Sequence, residues 1–148
     1  MVIRILLVFV ALFLIIQLFR PAKNIHPGVQ PNSIARYGVP HDVNVILEKA
    51  CNDCHTNNTK YPWYNKIQPV TWFLNNHVTN GKKEFNLDEF GTYSIKKGKH
   101  KLKELVDMVK EDKMPLSSYL WIHKEARLSA VEKNTLITWA QNLQDSLQ

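Results

Sequence analysis

Cys51-Asn52-Asp53-Cys54-His55 holds both cysteines of the 148-residue chain. The spacing is C-x-x-C-H, the attachment pattern for c-type haem. Two intervening residues let both thiols reach the vinyl groups along one edge of a porphyrin, and the next histidine then faces the iron. The motif therefore predicts one covalently attached haem, with Cys51 and Cys54 as the thioether residues and His55 as the proximal iron ligand.

Three other sites use closely spaced cysteines. A thioredoxin-like C-x-x-C belongs to a βαβ context, and the chain shows no such pattern. A structural zinc site needs four ligands, but no H-x₃₋₅-H pair follows the motif. A disulfide across two residues is strained and closes almost no loop. Haem attachment is the interpretation that the spacing favours.

The amino terminus is strongly apolar. Residues 5–16 form an unbroken hydrophobic run, preceded by Arg4 and followed by Arg20. Residues 2–19 approach the lower length limit for crossing a bilayer, and no small-residue cleavage site follows. Residues 1–20 therefore predict an uncleaved signal anchor with a single membrane pass. Because c-type haem attachment is generally completed outside the cytoplasmic membrane, we expect the rest of the chain on the periplasmic side of the inner membrane.

Composition narrows the class of protein further. The formal net charge is +6, and no interleaving of aromatic and basic residues accompanies it. This pattern does not support nucleic-acid binding.

Residues 21–41 are interrupted by Pro21, Pro27, Pro31 and Pro40, which exclude a continuous helix and predict a tether between membrane and domain.

Residues 42–148 are expected to form a mostly α-helical haem domain. We expect a short helix from an Asp42 N-cap into the haem motif, and a second from Pro69 to a stop at Gly81. Residues 91–98 are predicted to be a loop, and residues 99–113 a helix. A last helix is predicted from the capping box of Ser129 and Glu132.

The second axial ligand is less constrained by spacing. Met114 follows the end of a predicted helix and precedes Pro115, so it lies where the chain can turn towards an iron. A thioether opposite a histidine raises the reduction potential and suits electron transfer. Met114 could instead fill a gap in the core, as we expect of Met108. His77, one helical turn after Phe73, is the alternative distal ligand.

Other residues have candidate roles around the haem. Aromatic side chains cover a flat apolar disc efficiently, and the candidates are Trp63, Tyr64, Trp72 and Trp121. Ordinary core packing is an equally good explanation for each of them. The basic stretch Lys96–Lys103 could be a docking surface for an acidic redox partner, or only a solvated helix start.

Several blocks together resemble a known family. The chain has Y-P-W-Y at 61–64, H-V-x-x-G at 77–81, M-P-L-x-x-Y at 114–119 and W-A at 139–140, after C-x-x-C-H. This order resembles the small haem-binding domain proteins of the cytochrome c type, over about residues 42–140. The resemblance implies Cys51, Cys54 and His55 as haem-binding residues and Met114 as the sixth ligand. A lysine, Lys82, follows Gly81 where an arginine is expected.

The sequence thus predicts an all-α, cytochrome c-like haem domain behind a single N-terminal transmembrane helix. The expected function is one-electron transfer by a membrane-anchored monohaem c-type cytochrome, a carrier rather than an enzyme. Two alternatives stay open. One is a redox or gas sensor, or a peroxidase-associated haem protein, with a displaceable distal ligand. The other is a haem-free thiol oxidoreductase.

Overall fold

The computed structural model describes residues 1–26, 28, 30 and 33–148. Its α-helices are α1 Val2–Ile16, α2 His41–Ala50, α3 Asn52–His55, α4 Val70–Glu84, α5 Ile95–Lys110, α6 Ser117–Leu120 and α7 Ala130–Ser146. Single 3₁₀ turns cover Ile34–Tyr37, Trp63–Lys66, Leu87–Thr92 and Lys124–Ala126. The described residues contain no strand beyond an isolated bridge between Ile25 and Asn58. The all-α prediction is confirmed.

The core lies between α5, α7 and α2. Leu102 and Leu136 are fully buried where α5 meets α7, and α2 adds Val43, Ile46 and Leu47 from the other side of α7. Apolar residues at i, i+3 and i+4 give each of these helices one buried stripe. This layer supports the segment 50–55, which follows α2 without a break.

Helix α1 is different in kind, because none of its residues is buried. It is 15 residues long, and in the described ranges no helix is both long and apolar enough to cross a membrane.

Several expected helix boundaries were wrong. Helix α2 begins at His41 with Pro40 as N-cap, not at Asp42. Gly81 does not stop α4, which continues to Glu84. The glycine instead allows a close packing contact with Cys54. The expected loop 91–98 holds a 3₁₀ turn and the start of α5, since the Ser94 hydroxyl accepts a hydrogen bond from the Lys97 amide at 3.3 Å.

The segment 21–41 was interpreted as a tether, but described residues within it pack against the domain. Ile34 is buried in the core cluster, and the Tyr37 ring meets Phe90 edge-on at 5.2 Å. Pro27 and Pro31, on which the interpretation partly rested, lie outside the described residues. The chain therefore contributes core contacts before residue 42.

The predicted capping box at the start of α7 is confirmed. The Glu132 carboxylate accepts the Ser129 amide at 2.8 Å, and the Ser129 hydroxyl accepts the Glu132 amide at 3.3 Å. The same carboxylate pairs with Lys49 of α2. The hydrogen bond from Lys49, followed by that from Ser129, lowers the pKa of Glu132 to about 2.

This pairing gives a pH-dependent stability. Replacing Glu132 by glutamine is expected to lower the free energy of unfolding by about 1 kcal/mol at pH 7. Because the folded pKa is depressed, the contribution is complete above the unfolded value near 4.5 and is lost as the pH falls towards 2. Urea unfolding between pH 3 and pH 7 measures it, with Glu48→Gln on the exposed face of α2 as control. A difference that stays constant over this range would contradict the assignment.

Candidate functional site

The two cysteines lie on one helical turn. The Cys54 and His55 amides both donate to the Cys51 carbonyl, at 3.1 and 3.0 Å, directly after α2 ends. Residues three apart on a turn share a face. Both thiols are free rather than joined in a disulfide. The fold therefore presents the pair on one side of the motif, as attachment to one edge of a porphyrin requires.

The imidazole of His55 is oriented by a backbone group. Its Nδ1 lies 2.8 Å from the Phe85 carbonyl oxygen, so Nδ1 carries the proton and donates it. This assigns the tautomer in which Nε2 keeps its lone pair for a metal, the usual arrangement of a ligating histidine. Burial lowers the pKa of His55, which favours the neutral ring.

Two adjoining cavities, of about 250 and 270 Å³, open beside the motif. Both are lined by Cys51, His55 and Met114, together with Ala50, Glu84 and Pro115. The first cavity is walled mainly by aliphatic side chains: Leu47, Leu87, Leu105, Met108, Val109, Leu128 and Leu136. The apolar first cavity carries the Cys51 thiol, the oriented imidazole and the Met114 thioether, and Cys54 lines the adjoining second cavity. Together the two cavities form a slot that fits a covalently attached haem.

Charged groups reach the first cavity at one place. Lys101 of α5 lies there with Glu84 and Glu104, and its ammonium is 3.3 and 2.7 Å from their carboxylates. The hydrogen bond with Glu104 is the main cause of the raised pKa of Lys101. This cluster gives the apolar slot one polar side.

The pKa values of the two thiols are shifted in the direction opposite to that found in reactive cysteines. Burial is the main cause that raises the pKa of Cys51 to about 12 and that of Cys54 to about 11. Thiol oxidoreductases need a lowered pKa, so that the thiolate can attack. The environment of this C-x-x-C therefore disfavours a haem-free thiol oxidoreductase. Within the described ranges no three His, Cys, Asp or Glu side chains are grouped to hold a metal ion.

Gly81 lets α4 approach the motif. A β-carbon at this position would lie 2.7 Å from the Cys54 carbonyl oxygen and 3.1 Å from the Cys54 β-carbon. Heavy atoms do not pack at 2.7 Å without a hydrogen bond, so only glycine allows this contact. The H-V-x-x-G block contains this glycine, but a glycine in sequence does not reveal a contact 27 positions away.

Asp53, inside the motif, connects it to the segment that carries Met114. Its Oδ2 accepts the Tyr119 hydroxyl at 2.8 Å, and its backbone carbonyl accepts the Thr59 hydroxyl at 2.7 Å. Burial, then the bond to Asp53, raises the pKa of Tyr119, so the phenol stays a donor. Sequence reasoning missed this pair, although Tyr119 is the tyrosine of M-P-L-x-x-Y.

Tyr119 is also the first member of a stacked and hydrogen-bonded group. Its ring stacks on His123 at 4.3 Å, and His123 Nε2 lies 2.7 Å from the Tyr64 hydroxyl. His123 Nδ1 contacts the Glu125 carboxylate at 3.0 Å. His123 is therefore engaged at both ring nitrogens, as expected of a satisfied histidine rather than a ligand.

The candidate distal ligands are placed differently. Met114 lines both cavities with His55, whereas His77 lines the second cavity but not the first. His77 Nδ1 lies 2.8 Å from the Phe73 carbonyl oxygen, and its ring packs on Phe73 at 4.2 Å. Met108, expected to be a packing residue, also lines the first cavity and is partly exposed.

The four aromatic candidates for haem packing are not among the residues that line these two cavities. Trp63 and Trp121 are 74% and 79% exposed. The Trp72 indole donates to the Phe19 carbonyl at 2.9 Å, and Tyr64 is held by His123. The walls of the first cavity come instead largely from aliphatic residues of α2, α5 and α7.

Asn24 fastens the segment after α1 to the loop after the motif. Its side-chain amide donates to the Thr56 carbonyl at 2.8 Å and to the Thr59 hydroxyl at 2.9 Å. Its side-chain oxygen accepts Lys82 Nζ at 2.6 Å, and its backbone amide donates to the Tyr61 hydroxyl at 2.8 Å. One asparagine thus ties together residues from α4, the loop 56–61 and the N-terminal segment.

Comparison with known proteins agrees with this geometry. A family model described as a haem-binding domain matches residues 11–142. The chain belongs to this haem-binding domain family. No curated protein and no solved structure matches the chain significantly.

The extent of the match bears on the site. It includes every residue that lines the two cavities of this haem-binding domain. It also begins within α1, well before residue 42, where the sequence resemblance was expected to start. The contacts of Gln17, Phe19 and Asn24 with the domain therefore lie inside the family region.

Proposed function

We propose that this haem-binding domain is a monohaem c-type cytochrome that carries single electrons. The observation that carries the proposal is that Cys51, His55 and Met114 line one apolar slot, with the two cysteines on a single turn. A haem bound there would supply an iron that alternates between ferric and ferrous states.

The residues of the slot have separate tasks in this proposal. Cys51 and Cys54 would hold the group covalently, and His55, oriented by the Phe85 carbonyl, would offer Nε2 to the iron. Met114 would offer its thioether as the second protein ligand, from the segment that Tyr119 and Asp53 fasten to the motif. If His55 and Met114 both bound the iron, no position would remain for a substrate, and the protein would be a carrier rather than an enzyme.

We further propose attachment to the outer face of the cytoplasmic membrane. The support is the exposed apolar surface of α1 and the compartment in which c-type haem is attached. Flotation of the full chain with lipid vesicles tests the attachment, and a chain that stays in solution would contradict it.

The basic stretch Lys96–Lys103 is proposed to meet a redox partner. Lys101 and Lys103 are paired with carboxylates, so part of the charge is neutralised locally, and Lys97 lies over the Tyr93 ring at 3.8 Å. The electron-transfer rate with an acidic partner should therefore fall only modestly with rising salt. A rate independent of salt would remove this role.

Covalent attachment has a direct test. Expressed with a c-type maturation system, the full chain should keep haem on a denaturing gel, with a mass increase of one haem. A Cys51→Ser, Cys54→Ser double variant should lose the covalent stain, because neither thioether bond can form. His100→Ala, an exposed histidine on α5, is the matched change that should leave the stain intact. Purified wild-type chain without bound haem would refute the cytochrome proposal.

A further inference from the structure

Outside α1, the domain exposes a group of large apolar side chains. They lie on two segments, 63–73 and 121–122, and are Trp63, Ile67, Trp72, Phe73, Trp121 and Ile122. We name these six residues the aromatic face. Soluble proteins rarely expose contiguous apolar surface of this kind, and where they do it marks an interaction site.

The two segments meet at a groove of about 270 Å³. Phe73, Trp121 and Ile122 line it together with Tyr61, Pro62 and Leu74. The Trp63 ring contacts Tyr64, another lining residue, edge-on at 5.8 Å. Phe73 and Trp121 therefore share the groove, Trp63 lies beside it, and Trp72 precedes Phe73 on α4.

The aromatic face is continuous with the end of α1. The Phe19 carbonyl accepts the Trp72 indole at 2.9 Å and the Gln68 side-chain amide at 2.7 Å. The Gln17 side-chain oxygen accepts the Gln68 amide at 2.9 Å. Gln68 is completely buried by these contacts. The exposed apolar helix thus leaves the domain directly beside Trp72, in a fixed position.

We propose that the aromatic face rests on the lipid bilayer, at the level of the headgroups. Trp and Tyr prefer this depth because one end of the ring system is apolar and the other polar. Arg20 follows α1, Lys60 lines the groove and Lys66 shares a turn with Trp63, so cations accompany the rings where anionic headgroups would lie. Asp53 also lines the groove, but its carboxylate accepts the Tyr119 hydroxyl. A protein partner would also fit an apolar groove, but only the bilayer explains why α1 emerges at its edge. The inference rests on the proposed membrane attachment through α1.

Radiolytic hydroxyl-radical footprinting tests the proposal on the full, haem-loaded chain. The protein is placed in nanodiscs of phosphatidylcholine and phosphatidylglycerol, and oxidation is read peptide by peptide by mass spectrometry. Tyr37 is the internal reference, because it is only 40% exposed and packs on Phe90, away from the groove. Trp63 and Trp121, though more exposed, should oxidise several-fold more slowly than Tyr37. Oxidation of both faster than Tyr37 would overturn the proposal and leave the face to a protein partner.

A matched pair of variants gives a second readout. The double change Trp63→Asp and Trp121→Asp should weaken binding of the full chain to the same vesicles by about tenfold or more, because carboxylates replace two interfacial indoles. Val131→Asp, at a position 74% exposed on α7, should bind like wild type. Equal binding by all three chains would show that α1 alone holds the membrane. A wild-type chain that carries covalent haem but does not float would refute both the attachment and the aromatic face, while the haem assignment would stand.

Discussion

Replacing Met114 by leucine is expected to lower the reduction potential of the haem-loaded protein by on the order of 0.1 V or more, within the range of about 0.8 V that axial ligands span. A thioether ligand favours the ferrous state, and leucine has no lone pair to replace it. The ferric spectrum should change from low-spin to high-spin, and the ferrous protein should bind carbon monoxide. Redox titration and visible spectroscopy measure these changes.

Met108 provides the control for this experiment. It is also a methionine on the wall of the first cavity, so Met108→Leu changes the same volume without removing the proposed ligand. Its spectrum should stay low-spin and its potential close to that of wild type. If Met114→Leu also keeps a low-spin spectrum and the wild-type potential, Met114 is not the ligand and His77→Ala becomes the variant to examine.

Replacing Gly81 by alanine is expected to destabilise the domain by about 1–3 kcal/mol, the usual cost of overpacking. The new β-carbon would meet the Cys54 carbonyl oxygen at 2.7 Å, and this oxygen belongs to the backbone of the haem motif. The sign is the informative part, because glycine to alanine inside a helix normally gains up to about 1 kcal/mol. Urea unfolding measures the stability, and the yield of covalent haem should fall with it.

Gly98 is the matched glycine in α5. A β-carbon there would lie 3.3 Å from Leu147 Cδ1, the end of a flexible side chain near the carboxyl terminus. Gly98→Ala should therefore be neutral or slightly stabilising. Equal effects of the two substitutions would mean that the contact between α4 and the motif is not tight, and the packing argument would fail.

Local patterns predicted much of this molecule. The capping box of α7 and the start of α4 after Pro69 depend on neighbours in the sequence, so they could be recognised directly. The continuation of α4 through Gly81 could not, because glycine is also the commonest helix stop. Its use as a packing contact depends on Cys54, which only the tertiary fold brings close.

The site shows the same division. Spacing alone singles out Cys51, Cys54 and His55, but the partner that orients His55 is a backbone carbonyl of Phe85, which any residue could supply. The direction of an aromatic side chain is likewise set by packing. Trp63 and Trp121 are exposed, and aliphatic residues of other helices wall the slot instead.

The hydrogen bonds of Gln17, Phe19 and Asn24 would determine how far the proposed electron carrier could move. A carrier domain on a long flexible linker can move between a donor and an acceptor. Here, hydrogen bonds fasten the segment after α1 to the domain. The slot then keeps one height and one orientation relative to α1. If the chain carries electrons and is attached to a membrane through α1, it would work as a stationary relay, and the molecules with which it exchanges electrons would come to it.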